Sequence, residues 1–243
     1  MHSPSSYYSP LPGVPDVQGM ATLADRVFPQ VFRHDFTQPG FALLSLGSAI
    51  ESTALRRFMA VLKDALSERC SRQFGKRLGY LSLGRFDQQN TTKFHLDGAP
   101  DEAFLMLGYE PSVVVSELAM ADYSKAAFDL GISPRQFLTD FNPMFKQGEH
   151  RLASYVTRLT AFDPVVSQVL LVNNSSCPFD EAARNQQGVM HQATIGAAVI
   201  PSRRVVNSTM MTMFGPGQSE VVGQAIRTIF LTTNEVAGPL SLS

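Results

Sequence analysis

Cysteine is scarce in this sequence, with two residues among 243. Cys70 and Cys177 lie far apart and do not form the short spacing that is typical of a metal site. Two isolated cysteines are typical of free thiols in a reducing compartment. We therefore expect a cytoplasmic protein.

An excess of charge of either sign is also missing, because 20 Lys and Arg residues are balanced by 21 Asp and Glu residues. A balanced chain has no global field that would attract a nucleic acid or an anionic membrane. We expect neither as a partner and favour a small-molecule substrate over a polymer. The sequence does not indicate an oligomeric state.

Long apolar runs and internal repeats are absent as well. No segment approaches the length of a membrane span, and the N-terminus lacks the basic-then-apolar order of a secretory signal. No repeat with a period of roughly 20–50 residues is evident. The length suits one large domain with a substantial core. We predict a flexible N-terminal arm at 1–20, rich in Pro, Ser and Gly, and a single domain at 21–243.

Short apolar segments separated by Gly, Pro and Asn dominate the remaining chain. Ser48 and Glu51 have the form of a capping box, and the helical spacing that follows predicts a long helix ending near Gly75. A helical insertion is predicted at about 113–141. Strands are predicted at 41–46, 78–86, 91–97, 103–109, 152–159, 165–172, 189–195 and 203–213. The pattern favours a mainly β fold, a sandwich or barrel, with flanking helices.

His95 and Asp97 are the first residues that indicate chemistry. Side chains at positions i and i+2 of an extended strand point to the same face, so these two would project together while Leu96 points away. An imidazole and a carboxylate in this arrangement can occupy two positions around a metal ion. Two His and one carboxylate with open remaining positions is the ligand set of non-heme Fe(II) oxygenases.

A second histidine and two arginines follow in the C-terminal half. His191 lies on one face of a predicted strand and could supply the third ligand. Arg203 and Arg204 begin the next predicted strand, where a buried guanidinium needs a partner and matches a carboxylate bidentately. Pleat alternation sends one arginine inward and the other outward. Arg204 would share its face with Ser208, whereas the opposite parity would place Arg203 inside.

In order and spacing, these residues resemble the Fe(II)/2-oxoglutarate-dependent oxygenases. In that family an HxD motif is followed by a distal His and then by an Arg or Lys that holds the C5 carboxylate of 2-oxoglutarate. The resemblance covers the chain from about 80 to 213. It implies a double-stranded β-helix, a jelly-roll or cupin-like barrel, with His95, Asp97 and His191 as catalytic metal ligands. It also implies that Arg204 or Arg203, assisted by Ser208, binds 2-oxoglutarate.

The activity implied by the resemblance uses dioxygen, Fe(II) and 2-oxoglutarate and releases succinate and carbon dioxide. Related halogenases have a small residue in place of the carboxylate, so Asp97 favours hydroxylation or desaturation. We consider Arg85, Lys93 and Asn173 as substrate-binding candidates. Two alternatives stay open: a cupin-type metalloenzyme that does not use 2-oxoglutarate, and a non-catalytic β-barrel binding protein.

Overall fold

The structure is a computed structural model that describes residues 2–47, 49–196 and 201–236. Within these ranges, nine strands form a sheet of six strands and a sheet of three. The strands are β1 (Tyr8–Pro10), β2 (Phe41–Ser45), β3 (Arg77–Asp87), β4 (Phe104–Tyr109), β5 (Ser116–Ala121), β6 (Val156–Arg158), β7 (Gln168–Asn173), β8 (Met190–Ile195) and β9 (Val205–Phe214). The large sheet has the order β1-β2-β7-β4-β9-β3 and the small sheet the order β6-β5-β8. Every pair is antiparallel except β1 with β2.

Helices cover the outer faces of both sheets. They are α1 (Pro4–Tyr7), α2 (Val17–Val31), α3 (Ser52–Phe74), α4 (Tyr123–Asp129), α5 (Pro134–Phe141), α6 (Glu149–Leu152), a 3-10 turn (Ala153–Tyr155) and α7 (Gln224–Thr232). No helix in the described ranges combines the length and the apolar character needed to cross a membrane.

Strand β4 shows why the large sheet lies in the middle of the molecule. Phe104 and Met106 pack with α2 and α3, whereas Leu105 and Leu107 pack toward the small sheet. Because successive side chains point to opposite faces, a continuously apolar strand must be covered on both sides. The strand therefore separates a helix-covered core from a second core that lies between the two sheets.

The second core is built by side chains of both sheets. Leu118 and Ala193 of the small sheet meet Leu105, Leu170 and other residues of the large sheet. The outer face of the small sheet packs against α4 and α5, and the contact between them forms a separate apolar cluster. The order of layers is thus helices, large sheet, small sheet and helices.

The long helix α3 confirms the prediction made from its spacing. It ends at Gly75, whose φ of 66° is the left-handed conformation that favours glycine. The predicted capping box is wrong, because the helix begins at Ser52 and Glu51 occupies the N-cap position without a side-chain cap bond. Ser48 lies outside the described residues. The helix approaches β4 closely, because a Cβ on Gly108 would lie 2.4 Å from the Met59 sulfur.

Four predictions about elements need correction. The first twenty residues are not simply an arm, because they form α1 and β1 and begin α2. The predicted insertion at 113–141 is helical only in its second part, since its first part is β5, the central strand of the small sheet. The segment 152–159 is a strand only at β6. The described residues do not close into a barrel, since the two sheets are separate.

The segment 91–97 does not form the regular strand that the sequence predicts, although it lies beside β8. It joins β8 through a single bridge, between His95 and His191. Earlier in the segment, the Thr92 hydroxyl accepts from the Ala193 N–H, and the Thr91 hydroxyl accepts from the Ile195 N–H. Side-chain oxygens thus replace part of the ladder that a regular strand would supply. The other predicted strands are confirmed within a few residues.

Candidate metal centre

His95 and His191 lie directly opposite each other at the edge of the small sheet, where the segment 91–97 bridges to β8. The His95 N–H donates to the His191 carbonyl at 3.1 Å, and the His191 N–H donates to the His95 carbonyl at 3.0 Å. This reciprocal pair fixes both backbones, and the ring centroids are 4.2 Å apart. Backbone hydrogen bonds therefore hold the two imidazoles together although 96 positions separate them in the sequence.

Asp97 completes a cluster of three possible metal ligands. One ligand atom from each of His95, Asp97 and His191 lies within 4.8 Å of the other two. His95 Nε2 and Asp97 Oδ1 are 3.5 Å apart. Two ligand atoms on one ion, each about 2.1 Å from it, are themselves separated by about 3.0–3.5 Å. The three side chains therefore fit a shared metal ion.

The hydrogen bonds leave nitrogens available for such an ion. His95 Nδ1 lies 2.7 Å from the Lys93 carbonyl, which can only accept, so this nitrogen carries the proton. While His95 is neutral, its Nε2 faces Asp97 with the lone pair free, the arrangement usual for metal-binding histidines. In the protonated form the same nitrogen donates to Asp97. His191 Nδ1 is buried and has no hydrogen-bond partner among the described residues. A buried nitrogen without a partner fits a site that takes an ion or a water molecule.

Electrostatics distinguishes the three groups. Burial, together with the nearby His95, lowers the pKa of His191 to about 4, which keeps this imidazole neutral. Burial also lowers the pKa of His95, but the hydrogen bonds to Asp97 and to the Lys93 carbonyl outweigh it and raise the pKa overall. Burial raises the pKa of Asp97, and the contacts with His95 and His191 lower it by more. The site therefore combines an ionised carboxylate with a neutral imidazole and favours a positive charge.

Asn174 positions Asp97 through both halves of its amide. Its Oδ1 accepts from the Asp97 N–H at 3.0 Å, and its Nδ2 donates to the Asp97 carbonyl at 2.9 Å. The asparagine is buried just beyond the end of β7. Sequence reasoning selected its neighbour Asn173 instead, and strand parity separates the two. Asn173 points to the helical side and donates to the Val31 carbonyl.

Arg33 holds the chain that leads into His191. Its buried guanidinium donates to the Gln187 carbonyl at 2.8 Å and forms a bidentate ion pair with Asp122, with contacts of 2.6 and 2.7 Å. The backbone at Gly188 passes close to the backbone of Ser175. A Cβ on Gly188 would lie 2.0 Å from the Ser175 carbonyl oxygen, so this position requires glycine. Neither Arg33 nor Gly188 was among the predicted site residues, because their partners are distant in sequence.

Arg204 is buried between the sheets, whereas Arg203 is exposed. Arg204 Nε donates to the Ser116 hydroxyl at 2.9 Å, Nη1 donates to Gln88 Oε1, and the guanidinium lies 4.9 Å from the centre of the Tyr109 ring. Its Nη2 has no hydrogen-bond partner among the described residues, which also provide no carboxylate within ion-pair distance. A buried guanidinium without a carboxylate fits an anionic ligand.

A cavity of about 350 Å³ lies between the sheets and includes the metal-ligand cluster in its wall. Gln88 and Tyr109, two of the three described side chains that contact the Arg204 guanidinium, also line it. The cavity therefore reaches from the three ligands to the side chains that cover the arginine.

The remaining candidates lie outside the cavity wall. Ser208 is opposite Leu107 in the sheet register, and Leu107 rather than Ser208 contacts the cavity. Lys93 is exposed and contributes its carbonyl to His95. Arg85 pairs with Glu110 at 3.0 Å and donates to the Ser52 hydroxyl on the helical side. The wall as described does not include any of the three proposed substrate contacts Arg85, Lys93 and Asn173.

Comparison with known proteins identifies a weak structural similarity. No family model and no curated protein matches the chain. Among solved structures, the chain is similar to a variant of the iron and alpha-ketoglutarate-dependent endoperoxidase NvfI, with 15% identity and a TM-score of 0.38. The match covers 78% of this chain and 84% of that one.

Proposed function

We propose that this protein is an Fe(II)- and 2-oxoglutarate-dependent oxygenase that hydroxylates or desaturates a small molecule. The observation that carries the proposal is the convergence of His95, Asp97 and His191 on one point, within 4.8 Å of one another. This ligand set leaves coordination positions open, as in the non-heme Fe(II) oxygenases. The facing sheets would then be the two halves of a jelly-roll domain.

The three metal ligands and Arg204 have different roles in this function. His95 and His191 hold the ion through neutral nitrogens, and Asp97 supplies the anionic ligand. Arg204 takes the C5 carboxylate of 2-oxoglutarate, because Gln88 Oε1 already stands where a carboxylate oxygen would accept the Nη1 hydrogen bond. Once bound with 2-oxoglutarate and dioxygen, Fe(II) supplies the oxidising chemistry, with release of succinate and carbon dioxide.

The walls of the cavity protect that chemistry from water. Apolar side chains between the sheets, among them Leu107 and Val206, line the cavity beside the ligands and limit solvent access from that side. Exclusion of water prevents side reactions of reactive species.

The test is anaerobic addition of Fe(II) and 2-oxoglutarate to the full-length chain. A bidentate chelate gives a weak visible charge-transfer band at about 500–530 nm. We expect the band in the wild type and in His150→Ala, since His150 is exposed on α6. We expect its loss in His95→Ala and His191→Ala. Metal binding without the band would contradict the use of 2-oxoglutarate and favour a different metalloenzyme.

A further inference from the structure

The cavity is lined by both sheets, and beyond the metal ligands its wall combines a set of apolar side chains with polar ones such as Gln88, Thr92 and Asn142. Side chains from four strands of the large sheet and one strand of the small sheet face one another across it. They are Phe86, Leu107, Leu170, Val206 and, from the small sheet, Leu118. A ligand between these strands would lose contacts with water and gain contacts with apolar side chains on two opposite sides. Such a lining is typical of small-molecule sites.

Charged side chains are nearly absent from this wall. Among the described residues that line the cavity, Asp87 and Asp97 are the only Asp or Glu, and there is no Lys or Arg. The residues outside the described ranges add no charged side chain, because they are Met1, Ser48, Ala-Ala-Val-Ile at 197–200 and Ala-Gly-Pro-Leu-Ser-Leu-Ser at 237–243. Beyond the metal ion that Asp97 would hold, an acidic group on a ligand would thus lose its water and face Asp87 without a Lys or Arg side chain on the wall to compensate for it.

An exposed aromatic side chain lies at the rim of the cavity. Phe145 is 80% exposed and lines the opening together with Met144, in the loop that follows α5. The polar rim residues Asn90 and Gln192 carry neutral amides. A largely apolar molecule would cover the Phe145 ring while the amides hydrogen-bond its few polar atoms.

We propose that the substrate is a largely apolar molecule without acidic groups, bound between the metal ligands and the Met144–Phe145 rim. The inference rests on the proposed function, in which 2-oxoglutarate binds at the end of the cavity near Arg204. The substrate then occupies the outer end. The anion-binding group and the apolar wall are then used by different ligands.

The test uses two fluorescent probes that share one skeleton. N-phenyl-1-naphthylamine is neutral, and 8-anilino-1-naphthalenesulfonate adds a sulfonate to it. With the full-length chain, Zn(II), which is redox-silent, and saturating 2-oxoglutarate, which covers the metal ion and Arg204, we expect the neutral probe to bind about tenfold more tightly than the sulfonate. Equal or tighter binding of the sulfonate overturns the inference.

Two cavity variants locate the binding. Phe145→Ala should weaken the neutral probe about fivefold, and Leu118→Lys should abolish the preference for it, because a cation then faces the sulfonate. The controls are Ile229→Ala and Val113→Lys, exposed positions outside the cavity. Since Phe145 is exposed, its variant keeps the test valid even if Leu118→Lys does not fold. Unchanged neutral-probe affinity in Phe145→Ala overturns the inference.

The two proposals fail in different experiments. A chelate band with a preference for the sulfonate probe would overturn the apolar substrate and leave the oxygenase assignment intact. Binding of the neutral probe in the cavity without a chelate band would support the apolar site and overturn the oxygenase assignment.

Discussion

At the scale of single residues, the candidate metal centre depends on groups that are not themselves ligands. His95 is oriented by the Lys93 carbonyl, and Asp97 by the amide of Asn174. Such outer partners fix the tautomer of an imidazole and the direction of a carboxylate. We therefore expect metal affinity to be sensitive to Asn174 although its side chain bonds the backbone of Asp97.

Replacing Asn174 by Ala should lower the affinity for Zn(II) or Fe(II) by about 10–100-fold, because Asp97 loses both hydrogen bonds that position it. It should also lower the free energy of unfolding by about 1–3 kcal/mol, since buried backbone groups lose partners. Calorimetric metal titration and urea denaturation measure the two effects. Asn185→Ala is the control, because Asn185 donates to the Pro178 carbonyl outside the cavity. Unchanged metal affinity in Asn174→Ala would contradict the positioning role.

Arg204 and Arg203 provide a matched pair at adjacent positions. Arg204→Met should raise the Kd of 2-oxoglutarate by about 10–100-fold, the loss expected for a charge-assisted hydrogen-bond pair. Metal binding should persist, and stability should hold or increase because the buried cation has no carboxylate partner in the described residues. Arg203→Met should change none of these quantities, since Arg203 is exposed. Titration of the chelate band measures both variants, and equal effects would refute the assignment to Arg204.

At the scale of elements, the N-terminal segment is part of the fold. β1 extends the large sheet at its edge, where Pro10 does not interrupt an inner ladder. Tyr7 is fully buried beside Phe41, with ring centroids 5.2 Å apart. A segment rich in Pro and Ser therefore closes one end of the core between the sheets.

Tyr7→Ala should lower the free energy of unfolding by about 3 kcal/mol, because it removes a buried aromatic ring and leaves a cavity. Tyr7→Phe keeps the ring and removes a hydroxyl that has no partner among the described residues, so its effect should stay within about 1 kcal/mol. Urea denaturation compares the two variants. If Tyr7→Ala were as stable as wild type, the segment would not belong to the core.

At the scale of the whole molecule, the layered arrangement buries both thiols. Cys70 lies on the buried side of α3, and Cys177 donates to the Asp101 carbonyl. Burial raises the pKa of each thiol to about 12. Both cysteines are free, as the sequence predicted.

Stability should fall as the pH rises above about 8.5, where thiols of the unfolded chain ionise. The folded chain keeps these protons until the pH approaches about 12. The unfolded state then binds fewer protons, so the free energy of unfolding decreases by up to about 1.4 kcal/mol per pH unit for each thiol. Urea denaturation between pH 8 and alkaline pH measures the slope, which should be shallower in Cys70→Ala. A stability that is independent of pH over this range would show that the thiols are accessible.

Local periodicity and residue chemistry were sufficient to predict several features of this protein from its sequence. They include the i, i+2 spacing of His95 and Asp97, the long helix before Gly75 and most strands, because each depends on neighbouring residues. Three other features emerged only from the folded chain: which arginine is buried, the contact of Asn174 rather than Asn173 with Asp97, and the position of β5 within the predicted insertion. These features depend on strand parity and on partners far apart in the chain, and a shift of one residue reverses the face of every side chain.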